Sequence, residues 1–202
     1  MAAKLEREAM ISTRLRAWTV AAIGAALLAG CATTPPKVAA PVAPKPAAPQ
    51  LPYKWTHGHA PKAHEQATAL FGPLNLRPGQ YRWTTAIPQG DAKVVIDLMQ
   101  QLFYVYRGDQ LVGVSTISSG KKGKETPLGY WKVFRKQVKG FSRKYDNAPM
   151  PYMQMYDEKG IAFHGGALPG YPASRGCVRL PVEFAKKLYG LTKLGTEVII
   201  EG

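Results

Sequence analysis

Two side chains suited to nucleophilic chemistry stand thirteen positions apart near the end of the chain, His164 and Cys177. A thiol ionises at pH ~8.5 and attacks well only as the thiolate. A neighbouring imidazole can take its proton, while nearby cations and a following helix N-terminus favour the anion. Arg175 and Arg179 flank the cysteine, and four glycines and two prolines separate it from the histidine. Such a loop can fold back and bring ring and sulfur within hydrogen-bond reach. Gly176 lets backbone N–H groups approach a carbonyl oxygen as it becomes negative, a contribution of ~3–4 kcal/mol per donor in acyl transfer. Taken singly, a lone cysteine is most often a small buried hydrophobe, and a lone histidine a satisfied structural residue. Joined in Ser174-Arg175-Gly176-Cys177-Val178-Arg179, they point to a cysteine nucleophile with a histidine base.

The elements that must position this pair begin at about Asp91. KVVIDLMQ, QLFYVYR and QLVGVSTISSG are rich in β-branched and aromatic residues, with Arg107-Gly108-Asp109 as a turn. Thr126-Pro127-Leu128-Gly129 is a second turn, leading into the strand YWKVFR. Residues 136–152 lack a clean period and carry Pro149 and Pro151, so they read as a long loop or small lid beside the site. YMQMYD and IAFHGG read as strands, a helix starts near Val182 behind Pro181, and GTEVIIEG closes the chain as a strand. The pattern predicts a mainly β sandwich or barrel-like domain with one or two short helices. Residues 53–90 read as a loop-rich pre-domain segment, with a short helix in AHEQATALFG ended by Gly72-Pro73. His57, His59 and His64 complete no metal-ligand spacing and read as solvated loop.

The 202 residues carry a net charge of +14, which suits an acidic partner. The N-terminus selects the compartment. Arg14 and Arg16 precede an apolar run, Ala17–Ala29, too short to span a bilayer and fitting a signal peptide. Leu28-Ala29-Gly30-Cys31 resembles the lipobox of bacterial lipoproteins, in which Cys31 is acylated and becomes the mature N-terminus. Residues 1–30 carry four positive and two negative charges, so the exported part keeps +12. Export argues against a nucleic-acid partner. Lipidation of Cys31 also leaves Cys177 without a disulfide partner, and an unpaired thiol in an oxidising compartment points to a working residue. Residues 31–52, rich in Pro and Ala, form a disordered tether reaching up to roughly 60 Å if extended. Ala32, in place of the aspartate associated with inner-membrane retention, suggests the outer membrane by analogy.

Residues from about 92 to 201 resemble the L,D-transpeptidase (YkuD-like) catalytic domain. The matching pieces are VVIDLMQQLFYVYRGDQLVGVSTISSG, TPLG and FHGG…SRGCVRLP. The resemblance implies Cys177 as nucleophile and His164 as general base, with backbone around Arg175, Gly176 and Cys177 as oxyanion hole. It implies Arg179 as support for the site or the substrate's charged end, Ser174 as a turn residue, and Gly165 as part of the substrate-binding set. Arg175 stands where the family most often has a second histidine. Papain-like and amidase families place cysteine before histidine, and sortases space the pair more widely. The implied reaction is attack on the third residue of a peptidoglycan tetrapeptide stem, then transfer of the thioester to an amine, without metal or organic cofactor. The acceptor is another stem or an envelope protein; alternatives are hydrolysis, as a carboxypeptidase or amidase, and a non-catalytic tether to peptidoglycan. The expected architecture is a signal peptide (1–30), tether (31–52), pre-domain segment (53–90) and catalytic domain (91–202), lipid-anchored and facing the periplasm.

Overall fold

The computed structural model describes residues 56–202; the signal segment, Cys31 and the whole tether lie outside the described residues. In chain order the elements are α1 (His59–Phe71), β1 (Tyr81–Trp83), β2 (Ala92–Asp97), β3 (Leu102–Arg107), β4 (Gln110–Thr116), β5 (Gly129–Lys132), β6 (Arg135–Phe141), β7 (Pro149–Asp157), β8 (Ile161–Gly165), β9 (Val178–Leu180), α2 (Val182–Leu191) and β10 (Glu197–Glu201). Six strands form one sheet in the order β1-β4-β3-β2-β10-β5, and four form another in the order β6-β7-β8-β9. The fold is mainly β, with two helices and two sheets.

The strands pack as their sequences dictate. Val94, Ile96, Phe103, Val105, Val198 and Ile200 of the large sheet meet Tyr156, Phe163, Val178 and Leu180 of the small one, all buried. Phe184, Ala185 and Leu188 of α2 complete this core. The alternate residues of the large sheet, including Val95, Tyr104, Val114 and Ile199, face the other way and are covered by α1. That helix presents Ala60, Ala63 and Ala67, one stripe at helical spacing. The small side chains let it lie close to the sheet.

Two segments depart from the sequence reading. Residues 136–152 are not a loop: they lie in a hairpin, with Arg135–Phe141 paired antiparallel to Pro149–Met155. Only its turn, residues 142–148, is irregular. The histidines are not all in solvated loop either. His59 opens α1 with its ring 3.0 Å from the Tyr130 hydroxyl, and His64, inside α1, reaches the Tyr104 hydroxyl at 3.1 Å. Among the described residues, no group of three or more His, Cys, Asp or Glu could hold a metal ion.

Candidate active site

The parallel pairing of β8 and β9 sets the geometry of the site. Phe163 is opposite Val178, His164 opposite Arg179, and Gly165 opposite Leu180. Alternate residues of paired strands share a face, so His164 and Arg179 project together, with Ala162 and Cys177 one step earlier on the same face. Cys177 is partly exposed and packs against the buried cluster of Met150, Met153 and Ala162. Strand spacing and rise put the backbones of His164 and Cys177 roughly 8 Å apart along the diagonal. No hydrogen bond joins ring and thiol among the described residues; such bonds in a resting site often tighten only when substrate binds.

His164 is 7% exposed, and its Nδ1 lies 2.8 Å from the carbonyl oxygen of Gly165. A carbonyl only accepts, so Nδ1 carries the hydrogen and Nε2 keeps the lone pair that a base needs. Burial lowers the pKa of His164, the bond to Gly165 partly restores it, and the Arg179 charge lowers it again. Burial also pushes the Cys177 thiol up, against a hydrogen bond from the Ala162 backbone and the Arg179 charge. Burial therefore favours the neutral form of both groups. Arg179 disfavours imidazolium and favours thiolate. Gly166 lies against both groups: a Cβ placed there would be in ordinary contact with the stem of Arg179 at 3.5 Å and the His164 ring at 3.6 Å.

The turn carrying the cysteine is fastened from several directions. Buried Ser174 donates its hydroxyl to the Cys177 carbonyl and accepts the Gly176 N–H at 3.1 Å. Gly176 has φ +120°, a conformation only glycine adopts without strain. Its N–H is thus occupied, leaving those of Arg175 and Cys177 as the turn's candidates to face an oxyanion. Gly165 is also closely packed: a Cβ there would lie 3.2 Å from Val182, tighter than ordinary contact. Arg175 is exposed, and its guanidinium carbon sits 4.4 Å from the ring centre of Tyr145.

Sequence reasoning missed the residues that hold this turn from a distance. The Thr126 hydroxyl donates to the Gly176 carbonyl at 2.8 Å and accepts the Gly120 N–H at 2.9 Å. Ser118 exchanges two backbone bonds with Arg179, and its hydroxyl donates to the Tyr171 carbonyl at 2.8 Å. Gln101, at φ +54°, holds Ser119 through both ends of its amide. Thr126 lies in the TPLG run, but nothing local shows that its hydroxyl reaches across 50 residues. A cavity of about 570 Å³, bordered by His59, Lys93, Tyr130 and Glu197, opens on the large sheet and includes neither His164 nor Cys177.

A family model described as the L,D-transpeptidase catalytic domain matches residues 91–200. Among solved structures, an L,D-transpeptidase from Stackebrandtia nassauensis is 28% identical, with a TM-score of 0.50 over 58% of this chain and 58% of that one. One from Mycobacterium tuberculosis is 22% identical, with a TM-score of 0.52 over 55% of this chain and 57% of that one. The second likeness is one of fold. This chain spans less than two thirds of the length of either. No curated protein matches it.

Proposed function

Starting from a chain that belongs to the L,D-transpeptidase catalytic-domain family, we propose that it acylates Cys177 with a peptidoglycan tetrapeptide stem and passes the acyl group to an amine. The observation that carries this reading is the shared face of His164 and Arg179 on neighbouring parallel strands, with partly exposed Cys177 at the entrance to the second of them. His164 takes the thiol proton on Nε2 as the sulfur attacks the carbonyl of the third stem residue. The C–N bond to the terminal residue breaks, and the imidazolium returns that proton to the departing amine. A thioester remains. An amine of a second stem, or of an envelope protein, then attacks it; its proton goes to His164 and the thiol is restored.

Each neighbour has a role in this scheme. The N–H groups of Arg175 and Cys177 face the developing oxyanion, an arrangement that Gly176 and Ser174 hold in place. Gly165 fixes the base through its carbonyl, and Arg179 supplies the field that favours thiolate. The chain is read as an envelope lipoprotein facing the periplasm, anchored through lipid on Cys31.

The test uses the chain from residue 32, incubated with tetrapeptide muropeptides and analysed by mass spectrometry. Cross-linked dimers, and an adduct on Cys177 lost in Cys177→Ala and His164→Ala, are expected. Tripeptides alone would move the reading to hydrolysis, and the absence of any adduct would remove it. For the anchor, the full chain should partition into detergent while Cys31→Ser should not.

A further inference from the structure

Arg175 departs from the rest of the site in how it is held. It stands two residues before Cys177, is exposed, and places its guanidinium over Tyr145 at 4.4 Å. Tyr145 lies in the turn between β6 and β7, and that turn is ordered by its own bonds. Ser142 N–H donates to the Ala148 carbonyl at 3.0 Å, Ala148 N–H to the Tyr145 carbonyl at 2.8 Å, and Asp146 and Asn147 are left-handed. These bonds fix the backbone that presents the ring to Arg175. A guanidinium placed over an aromatic face keeps its in-plane N–H edge available for a planar acceptor such as a carboxylate. Among the described residues no carboxylate pairs with Arg175: the ion pair there is Lys193 with Asp91, elsewhere on the surface.

Resting on the transpeptidase reading, we propose that Arg175, positioned by Tyr145, binds the free carboxylate of the stem's terminal residue, the one that leaves when Cys177 is acylated. A small terminal residue such as alanine presents little to recognise except a methyl group and that carboxylate. The carboxylate lies just beyond the scissile bond, on the side of the departing amine. Arg179 is half-buried beside His164 and acts on the pair itself. Arg175, exposed on the turn that carries the nucleophile, is the cation placed to meet what leaves. The site would then select stems whose last residue ends in an unmodified carboxylate, and Tyr145 would be a positioning residue.

The experiment compares two donors, a tetrapeptide stem and the same stem with a C-terminal amide, using the full-length protein and following adduct formation on Cys177 by intact mass. The wild type should prefer the free acid by roughly ten- to hundred-fold in kcat/KM, the factor carried by one charge-assisted pair, expressed mainly in KM. Arg175→Gln should bring the acid-to-amide ratio close to one. Tyr145→Ala should lose most of the preference and Tyr145→Phe should keep it, since the ring and not the hydroxyl is the platform. Equal use of acid and amide by the wild type, or a preference that survives Arg175→Gln, overturns the proposal. So does a preference that disappears in Lys121→Gln instead, since Lys121, whose N–H donates to the Ser174 carbonyl at 3.0 Å, is a second cation beside this turn. Failure of both donors to acylate Cys177 would instead strike the functional reading beneath it.

Discussion

At the scale of single residues, the pair is tuned toward its neutral forms, and this fixes a pH dependence. Burial acts on both groups in the direction that disfavours charge: His164 down, Cys177 up. Nε2 therefore stays available as a base below the ordinary histidine value of ~6.5. The acid limb of kcat/KM should lie below that value. The thiol should react with iodoacetamide along a curve whose midpoint lies above that of an ordinary cysteine, because the thiolate forms late without substrate. Arg179→Met removes the cation that lowers both groups, so the midpoint for Cys177 should rise further and the acid limb should move up toward the ordinary value. Alkylation rates against pH for the two proteins decide the matter; a wild-type midpoint at or below that of an ordinary thiol would contradict the assignment. Stability has its own sign. The unfolded chain, with the higher histidine pKa, binds the proton first, so folding weakens as pH falls through ~6.5 and continues to weaken until the folded ring also protonates.

At the scale of elements, β7 is held by its pairing with β8, and the edge strand β6 is tied to the end of α2 by one lysine. Helix α2 has no basic residue in its last turn, where a positive charge would be favourable. Lys136 supplies it from β6: Nζ donates to the carbonyls of Tyr189 at 2.7 Å and Thr192 at 2.5 Å, over the Tyr189 ring at 4.2 Å. Lys136→Met keeps most of the apolar stem and removes both bonds. A loss of about 1.5–3 kcal/mol is expected, with faster amide exchange along β6 and β7 than elsewhere. Uniform acceleration across both sheets would show that the lysine is no local fastener. The same hairpin shows why part of the fold was illegible. β6 is a sheet edge, and edges carry charge, so Arg135-Lys136-Gln137-Val138-Lys139 has no apolar alternation. Pro151 reads as a breaker, yet β7 pairs with β8 only over residues 154–157, so its missing N–H costs no bond on that side. Tyr152, at φ +56°, breaks the alternation again. β2, β3 and β4, buried on both faces, were legible from their β-branched and aromatic runs. So was the Ser174–Arg179 turn, because its chemistry is contiguous in the chain. Thr126, Ser118 and Gln101 were not, because each acts on a residue remote in sequence.

At the scale of the molecule, the first helix and the last strand hold each other. The N-terminus of α1 follows Gly58, which offers no side chain to cap it. The cap comes from the far end of the chain. Glu201, 1% exposed at the end of β10, accepts the N–H groups of His57 at 2.8 Å, His59 at 3.2 Å and Ala60 at 2.7 Å. Burial alone would raise its pKa, but these donors outweigh it and hold the carboxyl below its usual range. One buried carboxylate thus joins α1 to the sheet whose other face forms the core with β8 and β9. Removing it leaves several N–H donors without an acceptor, so Glu201→Ala should cost about 2–4 kcal/mol, visible as a lower Tm with a weakened α1 signal. Glu201→Gln keeps an acceptor and should cost less. The pH dependence follows from the lowered value: the carboxylate's contribution is complete above the unfolded glutamate pKa of ~4.3 and disappears as pH falls through the lower folded value. Melting curves of wild type and Glu201→Gln should therefore differ at pH 7 and converge in acid. A difference that persists unchanged at pH 3 would show that shape, and not charge, makes this contact.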